Sequence, residues 1–123
     1  GLAISIAMQH VIRYNGVAGN VKRSVYPRYE EYRAQRDYAD IARALGLKGK
    51  DDAELVEALC ARIDQLMHAV DVEPKLSANG VTKKAFDAAV DRLASLAYDD
   101  QCTPANPRQP YIEEMKQLLI DQF

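Results

Sequence analysis

Residue types capable of chemistry crowd together in one stretch, 99–110, which holds Asp99, Asp100, Cys102, Thr103, Asn106 and Arg108 between prolines at 104, 107 and 110. A thiol beside two carboxylates raises the question of a nucleophile, but a nucleophilic cysteine needs thiolate character and a base within reach. No histidine lies near Cys102 in the sequence, so that role is unsupported. The prolines fix backbone torsions and remove amide donors, which makes the stretch a loop of set shape. Loops of that kind often place side chains for function. A purely structural reading stands beside this one: Asp99 and Asp100 cap or solvate the end of the preceding helix, Asn106 bonds its own backbone, and Arg108 pairs with a carboxylate.

His10 and His68 are the only histidines. They fall on different expected helices, and His10 has no carboxylate three or four residues on with which to form a helical metal pair. His68 has Asp64 and Asp71 at i−4 and i+3, a grouping common on solvated helix faces, and is read as a surface residue. His10, on an apolar helix, reads as a core histidine with a hydrogen-bonded ring. Residues 22–38 interleave Lys22 and Arg23 with Tyr26, Tyr29, Tyr32 and Tyr38, a pattern able to neutralise phosphates and stack bases. Glu30, Glu31 and Asp37 break that charge, so the expectation is a salt-bridged helix whose tyrosines pack by their rings and keep their hydroxyls wet.

These residues must be positioned by helices. At 123 residues the chain has the length of one domain, with 48% apolar residues, 28% charged residues and net charge −2, a composition that favours neither nucleic acid nor a membrane surface as partner. Two cysteines without CxxC spacing fit a reducing cytoplasm. No segment alternates in the manner of a strand, nothing repeats, and no Gly-rich phosphate loop is present. The expected class is all-α, a helical bundle-like domain of about five main helices.

Residues 2–14 are apolar apart from Ser5, Gln9, His10 and Arg13, which predicts a mostly buried helix ending in a left-handed stop at Asn15-Gly16. It lacks a capping residue in front and, at about 13 residues, is short of the ~20 that span a bilayer; it reads as a helix truncated inside a core. Residues 17–27 read as a loop. A second helix is predicted from Tyr29 onward, burying Tyr38, Ile41, Ala42 and Leu45, with Gly46 just past its end. Asp51 and Glu54 form a capping box for a third, with a stripe of Leu55, Leu59, Ile63, Leu66 and Val70. A short helical turn is expected at 75–78. Thr82 caps a fourth helix that buries Phe86, Val90, Leu93 and Ala97, and Ile112, Met115, Leu119 and Phe123 mark a fifth.

The loop sequence Asp100-Gln101-Cys102-Thr103-Pro104-Ala105-Asn106-Pro107-Arg108 resembles the D-x-C-T-x-x-N-P-R segment near the end of iron-containing alcohol dehydrogenases. Gly1-Leu2-Ala3 with Val11-Ile12-Arg13-Tyr14-Asn15 is similar to that family's H-G-x-A-N-A-x-x-x-x-x-V-x-R-Y-N helix, although Ile4 stands where the family has Asn. Tyr38 through Ala42, Leu45-Gly46-Leu47, and the run from Phe86 to Ala97 extend the similarity over nearly the whole chain. The Asp-Asp-Gln-Cys-Thr form and the insert at 29–38 look like the bifunctional aldehyde-alcohol dehydrogenases. The resemblance implies that residues 1–123 are the C-terminal part of a helical metal-binding domain, with the NAD-binding α/β domain absent from this chain. It implies an NAD-dependent enzyme using a ferrous ion, with zinc as the alternative, to interconvert acetaldehyde and ethanol, working in the cytoplasm as a homo-oligomer or filament together with the rest of the parent chain. In the family one Asp and three His hold the metal, the last His immediately before the glycine matching Gly1. No metal ligand, no catalytic residue and no activity are therefore expected in this chain alone. Cys102 matches a cysteine lining the active-site cleft, and Asp100, Thr103, Asn106, Pro107 and Arg108 match the motif that shapes the loop. The competing expectation is a helical protein-interaction module without catalytic activity. Nucleic acid and membrane are not expected partners.

Overall fold

The computed structural model describes residues 1–19, 21–23 and 31–123, and among them the chain is all-α. Five helices follow in order: α1 (Leu2–Asn15), α2 (Ala34–Ala44), α3 (Asp52–Ala69), α4 (Lys83–Asp99) and α5 (Ile112–Asp121). Short 3-10 turns at Ser77–Asn79 and Thr103–Ala105 lie in the connections before α4 and before α5. None of the helices is long and apolar enough to cross a membrane, among the described residues. Tyr26, Tyr29 and Glu30 lie outside the described residues, as do residues 20 and 24–27 of the expected loop at 17–27.

The core is built where α1, α2 and α3 meet: Ile12, Ala39, Ala42, Leu55, Val56, Leu59 and Cys60 form one buried cluster, with Tyr38, Leu47 and Ile63 packed against it. Alanines at 39 and 42, both fully buried, let α2 lie close on α3. The expected face of α2 holds for Tyr38 and Ala42 and is corrected at Ile41 and Leu45, which are exposed while Ala39 is inside. Helix α2 also starts later than predicted, at Ala34. Gly46 stands past its end with φ +75°, the left-handed conformation that glycine adopts without steric cost.

Helix α1 is less buried than its composition suggests. Ile6, Gln9, Ile12 and Asn15 face inward, while Leu2, Ile4, Met8 and Val11 are exposed. Its end also differs from expectation: Gly16 has φ −84°, so no left-handed stop occurs, and its amide still bonds the Ile12 carbonyl at 2.7 Å. Glycine serves close approach there, since a Cβ would sit 2.7 Å from Val56 Cγ1.

The carboxylate of Asp51 accepts from the Glu54 amide at 2.9 Å and caps α3 as predicted; the Glu54 carboxylate accepts instead from the Lys50 amide, 2.7 Å away and one residue before the cap. The apolar stripe of α3 is only half buried. Leu55 and Leu59 are inside, Leu66 and Val70 are exposed, and Val56, Cys60 and Met67 take their places. The inward face is wide at the start of α3, where both α1 and α2 cover it, so a one-stripe pattern under-reads it. Thr82 caps α4 through the Ala85 amide at 3.3 Å. Phe86 and Val90 are buried as expected, but Ala94 replaces Leu93 and Ala97 is half-buried. The Phe86 and Phe123 rings stack with centroids 4.8 Å apart, closing α4 against the end of the chain.

Candidate functional site

The loop between α4 and α5 splits into two parts with different surroundings. In the first, Asp100 accepts from the Cys102 amide at 2.7 Å, closing a small carboxylate turn. The Asp100 carboxylate beside it, as an acceptor and as a negative charge, raises the pKa of the Cys102 thiol and favours its protonated form. Cys102 is exposed and free. A protonated thiol beside a carboxylate is a poor nucleophile. Thr103 is buried and donates to the Ala97 carbonyl at 2.6 Å, tying the loop to the last turns of α4.

In the second part the loop is fastened to the end of α1. Asn106 and Asn15 exchange amide hydrogen bonds, each donating to the other at 2.9 Å, and Asn106 donates again to the Arg108 carbonyl. The Arg108 guanidinium donates to the Tyr14 carbonyl at 2.8 Å and to Glu114 at 2.7 Å, while lying over the Tyr14 ring at 3.8 Å. Glu114 on α5 collects three donors: Arg108, the Tyr14 hydroxyl at 2.8 Å and the Tyr111 amide at 2.9 Å. Burial alone would raise the Glu114 pKa, but these donors outweigh it and hold the carboxyl below its usual range. For Tyr14, burial and the bond to Glu114 push the hydroxyl pKa up, against the opposing charge of Arg108. Pro110 is fully buried beneath the joint.

The Arg-Tyr-Asn at 13–15 and the Asn-Pro-Arg at 106–108 thus meet in space, although 91 residues separate Asn15 from Asn106. The structural reading of Arg108 pairing with a carboxylate holds, with Glu114 as the partner. That of Asn106 is incomplete, since its amide also reaches Asn15. Glu114 is the residue sequence reading missed. Its position three residues after Tyr111, at the start of α5, was the available signal, because a carboxylate there can accept the cap amide. Pro107 lies on a separate shallow cleft with Glu31, Ala34 and Tyr38.

Other candidates resolve differently. Tyr38 packs its ring against the core as predicted. The hydroxyl of Tyr32 is not wet: it donates to the Asn15 carbonyl, and burial pushes its pKa up to about 12. Exposed pairs Arg33–Asp37 at 3.0 Å and Arg36–Glu31 at 2.9 Å form the expected salt-bridged face. His68 is exposed and its carboxylate neighbour is Glu73 at 3.5 Å; Asp64 turns instead to Gln9 at 3.1 Å. His10 is half-buried, and its enclosed Nε2 finds no hydrogen-bond partner among the described residues, where a hydrogen-bonded ring was expected. Burial and the charge of Arg13 lower its pKa, against the opposing Asp121 and Asp64. Among the described residues no group of three or more His, Cys, Asp or Glu side chains could hold a metal ion.

A family model described as Fe-containing alcohol dehydrogenase family, C-terminal, matches residues 1–123. The bifunctional aldehyde-alcohol dehydrogenase AdhE of Escherichia coli (strain K12) is 39% identical over 125 residues, covering 100% of this chain and 14% of that protein. The lactaldehyde reductase of the same organism is 32% identical, covering 96% of this chain and 26% of that protein. The NADPH-dependent butanol dehydrogenase of Clostridium saccharobutylicum is 30% identical, with 97% and 27% covered. The chain therefore spans a small fraction of the length of the relatives it matches.

Proposed function

Because this chain belongs to the Fe-containing alcohol dehydrogenase family, to which its whole length matches as the C-terminal part, we propose that it serves as the helical end of an alcohol dehydrogenase. The activity is the interconversion of acetaldehyde and ethanol with NAD, in the alcohol dehydrogenase half of a bifunctional aldehyde-alcohol dehydrogenase. The observation that carries this reading is similarity over the full chain to proteins of that name, at 39% and 36% identity.

The described residues do not fit a resident iron ion: no donor set of the required size is brought together, and His10 and His68 stand apart on α1 and α3. The ion and NAD would both be held by other parts of a longer polypeptide. What this chain supplies is shape. Cys102, kept as a thiol by Asp100, faces solvent as a wall of the cleft and not as the agent of the reaction. Asn106 and Arg108 hold that wall to the end of α1. The rest of the parent chain, and further copies of it in a cytoplasmic homo-oligomer or filament, are the partners in this proposal.

The test compares two preparations supplied with acetaldehyde, NADH and ferrous ion. The full-length protein should oxidise NADH, and the 123-residue chain should not. Turnover by the chain alone, or none by the full-length protein, would overturn the proposal. The exposed apolar residues Leu2, Ile4, Met8 and Val11 of α1, with Leu66 and Val70 of α3, favour a second reading, a helical interaction module. That reading predicts self-association or partner binding in sedimentation with no gain of dehydrogenase activity.

A further inference from the structure

A cleft of about 330 Å³ runs between α1 and α5, with His10, Arg13 and Tyr14 on one side and Gln117, Leu118 and Asp121 on the other. The imidazole of His10 lies in this seam with its Nε2 enclosed and without a hydrogen-bond partner among the described residues. Charged groups act on the ring from three helices: Arg13 on α1, Asp64 on α3 and Asp121 on α5. All three are tied to other side chains. Arg13 donates to Gln9 at 3.0 Å and to Glu57 at 2.9 Å, Asp64 accepts from Gln9 at 3.1 Å, and Asp121 accepts from Gln117 at 2.7 Å. Arg108 and Glu114 also line the cleft and are paired with each other, and the Tyr14 hydroxyl donates to Glu114. A neutral ring therefore fits the closed seam, whereas an imidazolium would set a charge on an enclosed atom beside a cation that is fixed in place.

From this arrangement we infer that His10 makes the seam between α1 and α5 a proton-sensitive contact: a proton taken up by its imidazole loosens α5 from α1, and with α5 the Glu114 side of the joint that holds the Cys102 loop. The response belongs to this chain and is independent of the reaction assigned to the parent. Burial and the Arg13 charge hold the His10 pKa below its ordinary 6.5, against the opposing Asp121 and Asp64. As pH falls, the opened seam takes up the proton before the closed one. The closed form is thus stabilised above 6.5 and loses that stabilisation as pH drops from there through the folded value. Glu114 gives up its share only below its own ordinary value of 4.5, so the loss that sets in first on acidification is that of His10.

Amide hydrogen exchange of the 123-residue chain at about pH 7.5 and about pH 5.5, corrected for the intrinsic pH dependence of exchange, tests this. Protection of the Leu118 and Leu119 amides of α5 should fall by about fivefold or more at the lower pH, the lower end of what a stranded buried donor costs. Amides around Ala42 and Leu59 should show no such fall. His10→Gln, which keeps a polar side chain but cannot titrate, should abolish the difference between the two pH values. NMR titration of the His10 ring is a second readout that needs no variant, and its midpoint should lie below 6.5. Equal protection of α5 at both pH values, a loss that persists in His10→Gln, or a His10 midpoint at or above 6.5 would overturn the inference. So would stronger protection of α5 at the lower pH, the sign of an ion pair between His10 and Asp121 that closes the seam instead of opening it.

Discussion

Where α1 meets α2 and α3, Ile12 shares a buried cluster with Leu55, Val56, Leu59 and Cys60, and the free energy comes from apolar surface withdrawn from water. Where the last turn of the same helix meets the loop and α5, the fastening is polar. An amide pair joins Asn15 to Asn106, and Arg108 and Glu114 close an ion pair of 2.7 Å around the Tyr14 ring. The two regions should respond to different perturbations. The core should answer to lost volume and be indifferent to pH, whereas the joint should answer to charge and tolerate changes in volume. One helix is thereby gripped by a non-directional force along its flank and by a directional one at its tip, and only the second can fix the register of the loop that carries Cys102.

The largest effect should come from the core. Leu59→Ala, at a side chain 5% exposed, should lower unfolding free energy by about 2–5 kcal/mol in chemical denaturation. Next comes the joint: Arg108→Met removes the one cationic donor of a partly buried Glu114, leaving it Tyr14 and the Tyr111 amide, and should cost about 1.5–3 kcal/mol, the range for hydrogen bonds to charged groups. An Arg108→Met variant as stable as the parent would show that the joint is decorative. Glu114→Gln sharpens the comparison through pH. The Glu114 pKa is lower in the folded chain than the ordinary 4.5, so the unfolded chain takes up its proton first as pH falls. Its stabilisation is present above that ordinary value and is lost as pH drops from there through the folded one. Glu114→Gln should remove this part of the acid slope, and Leu59→Ala should leave it intact. The smallest effect belongs to the exposed helix pair: Arg33→Ala should change stability by no more than about 0.5 kcal/mol.

Which of these features could be read in the sequence follows from how local their causes are. The Asp51 and Thr82 caps and the αL Gly46 depend on a few neighbouring residues and were readable. So were the all-α class and the family motifs. The faces of α1, α2 and α3 were read only in part because burial depends on which helices cover a surface: Ala42 is inside as expected, but Ala39 is inside too and Ile41 outside, a choice that composition cannot reveal. The joint was half readable. Arg108 needed a carboxylate, but Glu114 and Tyr14 could be named only once α5 and the tip of α1 were seen side by side. His10 departs from the rule that enclosed rings are satisfied, since its Nε2 has no partner among the described residues.

Amide hydrogen exchange in Arg108→Met compared with the parent chain tests most directly whether the joint, and not the core, holds the Cys102 loop. The prediction is faster exchange at the Cys102, Thr103, Ala105 and Asn106 amides by about tenfold or more, the factor that corresponds to about 1.4 kcal/mol, beyond any change in the α2 and α3 amides around Ala42 and Leu59. Equal acceleration in both regions, or none in the loop, would contradict it.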